Sequence, residues 1–197
     1  MKKLMVVLAF ALLFFVTNSL ENKVFASELQ NEEEFVETVN GVAEENGFTV
    51  ISDPTLIPET TLKFDSVEDF EAFLETEKLK ETNPTVFTPP TSKFEFATLA
   101  STNPKTYTYK EYTGVSVITS YARVTRNTSG VVTKVVVWSD QSGVTVPIKY
   151  AQTTAWYTLN SSKKGGTATI KGTKFYGVNV VGQELGYARN VTYTVPF

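Results

Sequence analysis

The sequence predicts a mainly β protein: an antiparallel β-sandwich of about seven strands, preceded by a small acidic α/β region. Three observations carry this. All nine tyrosines and both tryptophans lie after residue 106, among β-branched residues. Turn signals punctuate that half at short intervals. Helical spacing of apolar residues is confined to the half before it. With 42% hydrophobic and 20% charged residues in 197, the composition is that of a globular chain. Disordered, collagenous and coiled-coil classes are excluded.

Met1–Ala26 reads as a secretory signal peptide. Lys2 and Lys3 form the positive start, Leu4–Val16 is an uncharged apolar run of 13 residues, and Val24-Phe25-Ala26 supplies the cleavage site. Thirteen residues make a helix of roughly 20 Å, short of a membrane's apolar core. Cleavage after Ala26 leaves 171 residues and an expected secreted, extracellular location. With no Cys, the chain suits bacterial export better than disulfide-rich animal secretion.

The acidic helical region is 27–82. Asn31, with Glu34 three residues on, is the expected cap of a first helix bearing Phe35, Val36, Val39, Val42 and Ala43 on one stripe. Gly47 is its stop. Gly47–Ser52 reads as a strand or an extended segment. Ser66 caps a second helix with Asp69 as the reciprocal partner, and Val67, Phe70, Phe73 and Leu74 form its apolar face. Residues 83–95 form a Pro-rich linker, with Pro84, Pro89 and Pro90 disallowing helix.

The β-sandwich domain is 96–197. Expected strands are Thr106–Thr113, Val115–Thr125, Val131–Trp138, Val144–Lys149, Thr153–Leu159, Thr167–Val181 and Tyr187–Val195. Asp140–Gly143 and Gly182–Gly186 read as turns. Seven strands with polar and apolar faces fit an immunoglobulin-like sandwich among other two-sheet arrangements.

The chain combines a leader, the stretch Phe64-Asp65-Ser66-Val67-Glu68-Asp69-Phe70 and a Thr/Tyr-rich domain ending Tyr193-Thr194-Val195-Pro196-Phe197. Together they resemble uncharacterised small secreted β-sandwich proteins of Gram-positive bacteria. The resemblance implies an exported bacterial sandwich and transfers no site residues.

Chemistry is sparse. Without His, the usual nucleophilic triad and the commonest metal ligand are missing. Ser161-Ser162-Lys163-Lys164 reads as a solvated turn rather than a Ser–Lys pair. Lys163–Thr167 lacks the order of a phosphate loop, and Asp65–Asp69 lacks calcium-loop spacing. The β half offers Glu111, Asp140 and Glu184 as acids, and the last two lie in turn segments, so glycosidase chemistry has little support. No metal and no cofactor is expected. Trp138, Trp156, Tyr157, Tyr176 and Tyr187 are either core or a binding platform. Trp156 and Tyr157 are adjacent, so in a strand they point to opposite faces and one must leave the core.

Charge is the strongest functional signal. Glu28–Glu95 holds 17 acidic and 4 basic residues, net −13; Phe96–Phe197 holds 3 acidic and 11 basic, net +8. A basic β domain favours polyanions, unless the acidic region lies against it and cancels its field. The expected function is therefore a secreted, non-enzymatic binding protein acting at a cell surface or on an extracellular polyanion. A cell-wall polyanion, a glycan or another extracellular protein would be the partner, with no nucleic acid and no integral membrane segment after cleavage. The candidate ligand-binding residues are Trp156, Tyr157, Lys163 and Lys164. A membrane-active, toxin-like β protein is the alternative, and a secreted hydrolase the last.

Overall fold

The computed structural model describes residues 31–82, 104–114 and 116–197. The expected signal peptide, linker and boundary at residue 96 lie outside them. The chain divides into two units at Val42/Ala43. In the first, residues 31–42 are helical, part of α1 (31–45). Asn31, expected as the cap, is itself helical. Val39 is fully buried and Phe35 and Val36 half-buried, as the stripe predicts.

The second unit opens with the end of α1. Gly47, at φ +80°, stops the helix, and the Phe48 N–H donates back to the Ala43 carbonyl at 3.0 Å. Then follow β1 (Thr49–Val50), a 3₁₀ turn (Pro54–Leu56), β2 (Leu62–Phe64) and α2 (Val67–Thr82). The cap of α2 forms as expected: the Asp69 N–H donates to Ser66 Oγ at 3.1 Å, and Ser66 Oγ donates to Asp69 Oδ2 at 2.9 Å. Six long strands complete it: β3 (Lys105–Tyr112), β4 (Ser116–Arg126), β5 (Val132–Gly143), β6 (Ile148–Leu159), β7 (Gly166–Val180) and β8 (Gln183–Pro196).

The fold is mainly β, with a sheet of three strands in the order β3-β4-β5 and a sheet of five built on the β7–β8 pair. β7 is long enough to have two partners on one edge. Gly166–Tyr176 pairs antiparallel with β6, and Val178–Val180 pairs parallel with β2. β1 pairs antiparallel with Tyr187 and Ala188 of β8. Acidic and basic segments therefore contribute strands to one sheet. The long strands follow one another as two meanders, without the strand exchange of an immunoglobulin Greek key.

Three expected boundaries move. Asp140–Gly143 continues β5 instead of turning, because the Gln141 side chain ties that end to its neighbours. Its amide donates to the Ile148 carbonyl at 2.8 Å, and its Oε1 accepts from the Tyr150 N–H at 2.8 Å. The two strands expected over 144–159 are one strand, β6, irregular between Gln152 and Thr154. The β7–β8 turn is tight, with Val181 at φ +50° and Gly182 at φ +93°, so β8 begins at Gln183 rather than after a long loop.

One face of the β7–β8 pair is buried along its whole length. Ala168, Ile170, Lys174, Tyr176, Val178 and Val180 alternate inward on β7, matched by Tyr187, Arg189, Val191, Tyr193 and Val195 on β8. Two covers share that face. The three-stranded sheet lies over Ile170, Val191 and Val195 with Ile118, Ala122 and Val124. Helix α2 lies over the other end, where Phe73 meets Tyr176 at 6.0 Å and Phe70 meets Tyr187 at 5.5 Å between ring centroids. The covers meet above Lys174.

Candidate functional site

The four residues singled out by sequence all fall on the β6–β7 hairpin. Trp156 pairs with Thr169 and Tyr157 with Ala168, and the strands close at Leu159 and Gly166. Trp156 is 43% and Tyr157 44% exposed, on opposite faces as alternation requires. Lys163 and Lys164 are exposed in the loop beyond. That loop is held by its own backbone and by β5. The Asn160 N–H donates to the Gly165 carbonyl at 2.9 Å, and the Lys163 carbonyl accepts from the Val132 N–H at 2.8 Å. Lys163 takes φ +56° to allow this.

The structure gathers further cations there that sequence reasoning did not join to the pair. Arg126 ends β4, donates from Nε to the Lys164 carbonyl at 3.2 Å and from Nη1 to Tyr107 Oη at 3.1 Å. Lys105 opens β3 and stands 5.1 Å from the Tyr107 ring centroid; Arg126 stands 5.6 Å from it. Two strand ends and one loop thus present Lys105, Arg126, Lys163 and Lys164 at one end of the sandwich. Nothing in the chain order announces this clustering; it follows from antiparallel register. Of the eleven basic residues after residue 96, only Lys174 and Arg189 are buried.

Beside this end, among the described residues, the outer face of β6, β7 and β8 is open over Thr167–Thr173, whereas farther along Ile57, Pro58 and Thr60 lie over Gly186 and Gly177. Register places Trp156, Thr169 and Thr194 in one row and Thr154, Lys171 and Thr192 in the next. Lys171 Nζ sits 5.6 Å from the Trp156 ring centroid. The other aromatics named from sequence are elsewhere. Trp138 is half-buried on the three-stranded sheet, stacked on Tyr121 at 4.8 Å, and Tyr176 and Tyr187 are core.

The seam above Lys174 holds a charged cluster that the sequence reading missed. Lys174 contacts Glu111 of β3 and, at 3.4 Å, Glu77 of α2. Tyr176 Oη donates to Glu77 at 2.8 Å and Tyr193 Oη donates to Glu111 at 2.6 Å. Burial pushes the Glu77 carboxyl up, but Lys174, Lys80 and the Tyr176 hydroxyl outweigh it and hold the carboxyl below its ordinary range. Burial, then the nearby Glu111 charge, pushes the Tyr193 phenol far up, so it stays a donor. The signal was present: Glu77 follows Phe70, Phe73 and Leu74 on the same helical stripe, and Lys174 interrupts an inward-facing apolar series. The cavity beside these groups is about 20 Å³, room for about one water. Two carboxylates so enclosed, each held by Lys174 and a phenol, act as a clamp joining α2 and β3 to the sheet.

Among the described residues no group of His, Cys, Asp and Glu is placed to hold a metal ion, and no helix is long and apolar enough to cross a membrane. No protein-family model matches the chain, and neither a curated protein nor a solved structure matches it.

Proposed function

We propose that this is an exported binding protein whose basic sandwich end holds an extracellular polyanion without catalysing its conversion. The observation that carries this is the convergence of Lys105 from β3, Arg126 from β4, and Lys163 and Lys164 from the β6–β7 loop onto one end of the fold. The acids of the β half do not oppose them. Glu111 is engaged by Lys174, Asp140 lies near the far end of β5, and Glu184 lies at the start of β8. Each exposed ion pair with a ligand contributes little, but several along a polymer add and also speed encounter.

The test is co-sedimentation of the protein with Gram-positive cell walls at low salt and at about 0.5 M salt, where exposed charges are largely screened. Binding that salt abolishes, and that the pair Lys163→Gln/Lys164→Gln weakens, supports the reading. Binding indifferent to both salt and the substitutions refutes it.

A further inference from the structure

We propose that the polyanion is an anionic glycan, and that its sugar rings are read on the open stretch of the β6, β7 and β8 outer face around Thr169 and Lys171, with Trp156 as the stacking surface and Lys171 as the counter-charge. This rests on the polyanion reading and extends it along the same hairpin. Two features distinguish the face from a merely basic surface. Trp156 remains 43% exposed although it is the largest side chain of its strand. A polyphosphate or other chain of bare charges has no use for an indole, whereas the C–H face of a pyranose packs on one. Around the ring stand Thr154, Thr158, Thr169, Thr192 and Thr194, exposed or half-exposed in register. A hydroxyl both donates and accepts, so it complements sugar hydroxyls, which do the same.

Charge is also complementary. Lys171 lies 5.6 Å from the Trp156 ring centre, so a carboxylate or phosphate on a stacked sugar meets a cation at once. Among the described residues, the one acid on this side of β6, β7 and β8, Glu184, pairs with Asn179, ten positions along β7 from Thr169. At about 3.3 Å per residue that is roughly 33 Å away. From the Lys171 row to the hairpin end at Gly166 is five residues, about 17 Å, after which Lys163 and Lys164 continue the positive strip. A flat strip of that length suits an extended polymer rather than a small molecule enclosed in a pocket.

The experiment measures affinity of the full chain for three probes of matched length: a polyuronate, neutral dextran and inorganic polyphosphate. The expected result is tightest binding to the polyuronate, weakened about tenfold in Trp156→Ala, a change of about 1.4 kcal/mol. Trp156→Phe recovers much of it, and polyphosphate affinity stays within about twofold in both variants. Lys171→Gln weakens the polyuronate and leaves dextran unchanged. Circular dichroism checks that each variant is folded. If polyphosphate binds as tightly as polyuronate and Trp156→Ala changes neither, the glycan inference is overturned while the polyanion reading stands. If dextran binds as well as polyuronate, the anionic character is wrong. If none of the three binds, both readings fall.

Discussion

Replacing Lys174 by Met tests the clamp directly. The Lys174 side chain is 3% exposed, and its partners Glu77 and Glu111 are 2% and 10% exposed. Met fills similar volume, so the perturbation is loss of the cation rather than loss of packing. What remains is two carboxylates in a space that admits about one water. Breaking one side of a buried pair costs about 3–5 kcal/mol, because a charge is left uncompensated. Lys80 still reaches Glu77, so the lower end, about 3 kcal/mol, is expected at pH 7. Urea titration measures it, and in a thermal scan the loss corresponds to roughly 6–12 °C for a domain of this size. The pH dependence has a definite sign. In the native protein the Glu77 pKa is lowered, so its contribution is full above the unfolded value of 4.5 and is lost as pH falls through the folded value. Without Lys174 that pull weakens and the buried acid takes up its proton at higher pH. The gap between native and variant is therefore widest near neutrality and narrows toward pH 4. Exchanging all three members for neutral residues, Lys174→Met with Glu77→Gln and Glu111→Gln, recovers part of the loss. A cost of Lys174→Met below about 1 kcal/mol, or a gap that does not narrow on acidification, would refute the clamp.

Three further predictions concern stability. Val181→Asn relieves a β-branched residue held at φ +50° in a two-residue turn and raises stability by about 0.5–1 kcal/mol in urea titration. Gly166→Ala places a methyl 2.2 Å from the Thr158 carbonyl oxygen and 2.9 Å from the Phe197 ring, so a loss of at least about 1–3 kcal/mol is expected, read as a lower melting temperature. Ser66→Ala removes the α2 cap and costs about 1 kcal/mol, whereas Ser66→Asp keeps most of it.

Local signals in the sequence located α2 and its cap, the stop at Gly47 and most strands of the basic half, because caps, helical stripes and alternating strands are written within a few residues of each other. What alternation could not reveal was pairing. β2, only Leu62–Phe64, has too few residues to show a period, and it is a strand because Val178–Val180 offers an open edge. Asp140–Gly143 has the composition of a turn and yet stays extended because the Gln141 amide bonds across to β6. The exposed aromatic pair was legible, since two adjacent large side chains in a strand cannot both enter one core. The cation cluster was not, because Arg126 and Lys164 are 38 residues apart and meet only through register.

The placement of α2 bears on two accounts of the charge split, as far as the acids of this helix are concerned. If the acidic helix lay against the basic end, the two fields would cancel and the polymer would have to displace it. Instead α2 packs at Tyr176 and Tyr187, while the lysine loop precedes Gly166 at the other end of β7. Ten residues of strand separate Gly166 from Tyr176, about 33 Å at 3.3 Å per residue. That is about four Debye lengths at physiological ionic strength, so the exposed carboxylates of the helix are screened from the loop. The expected consequence is that Glu68→Gln, Glu71→Gln and Glu75→Gln together, all at exposed positions of α2, leave polyanion affinity at physiological salt within about twofold of the native chain. Lowering the salt to about 0.01 M extends the Debye length to about 30 Å, and only there should the triple variant bind more tightly. A large gain at physiological salt would mean that the helix shields the basic end after all, and the sandwich would then be a masked binder rather than an open one.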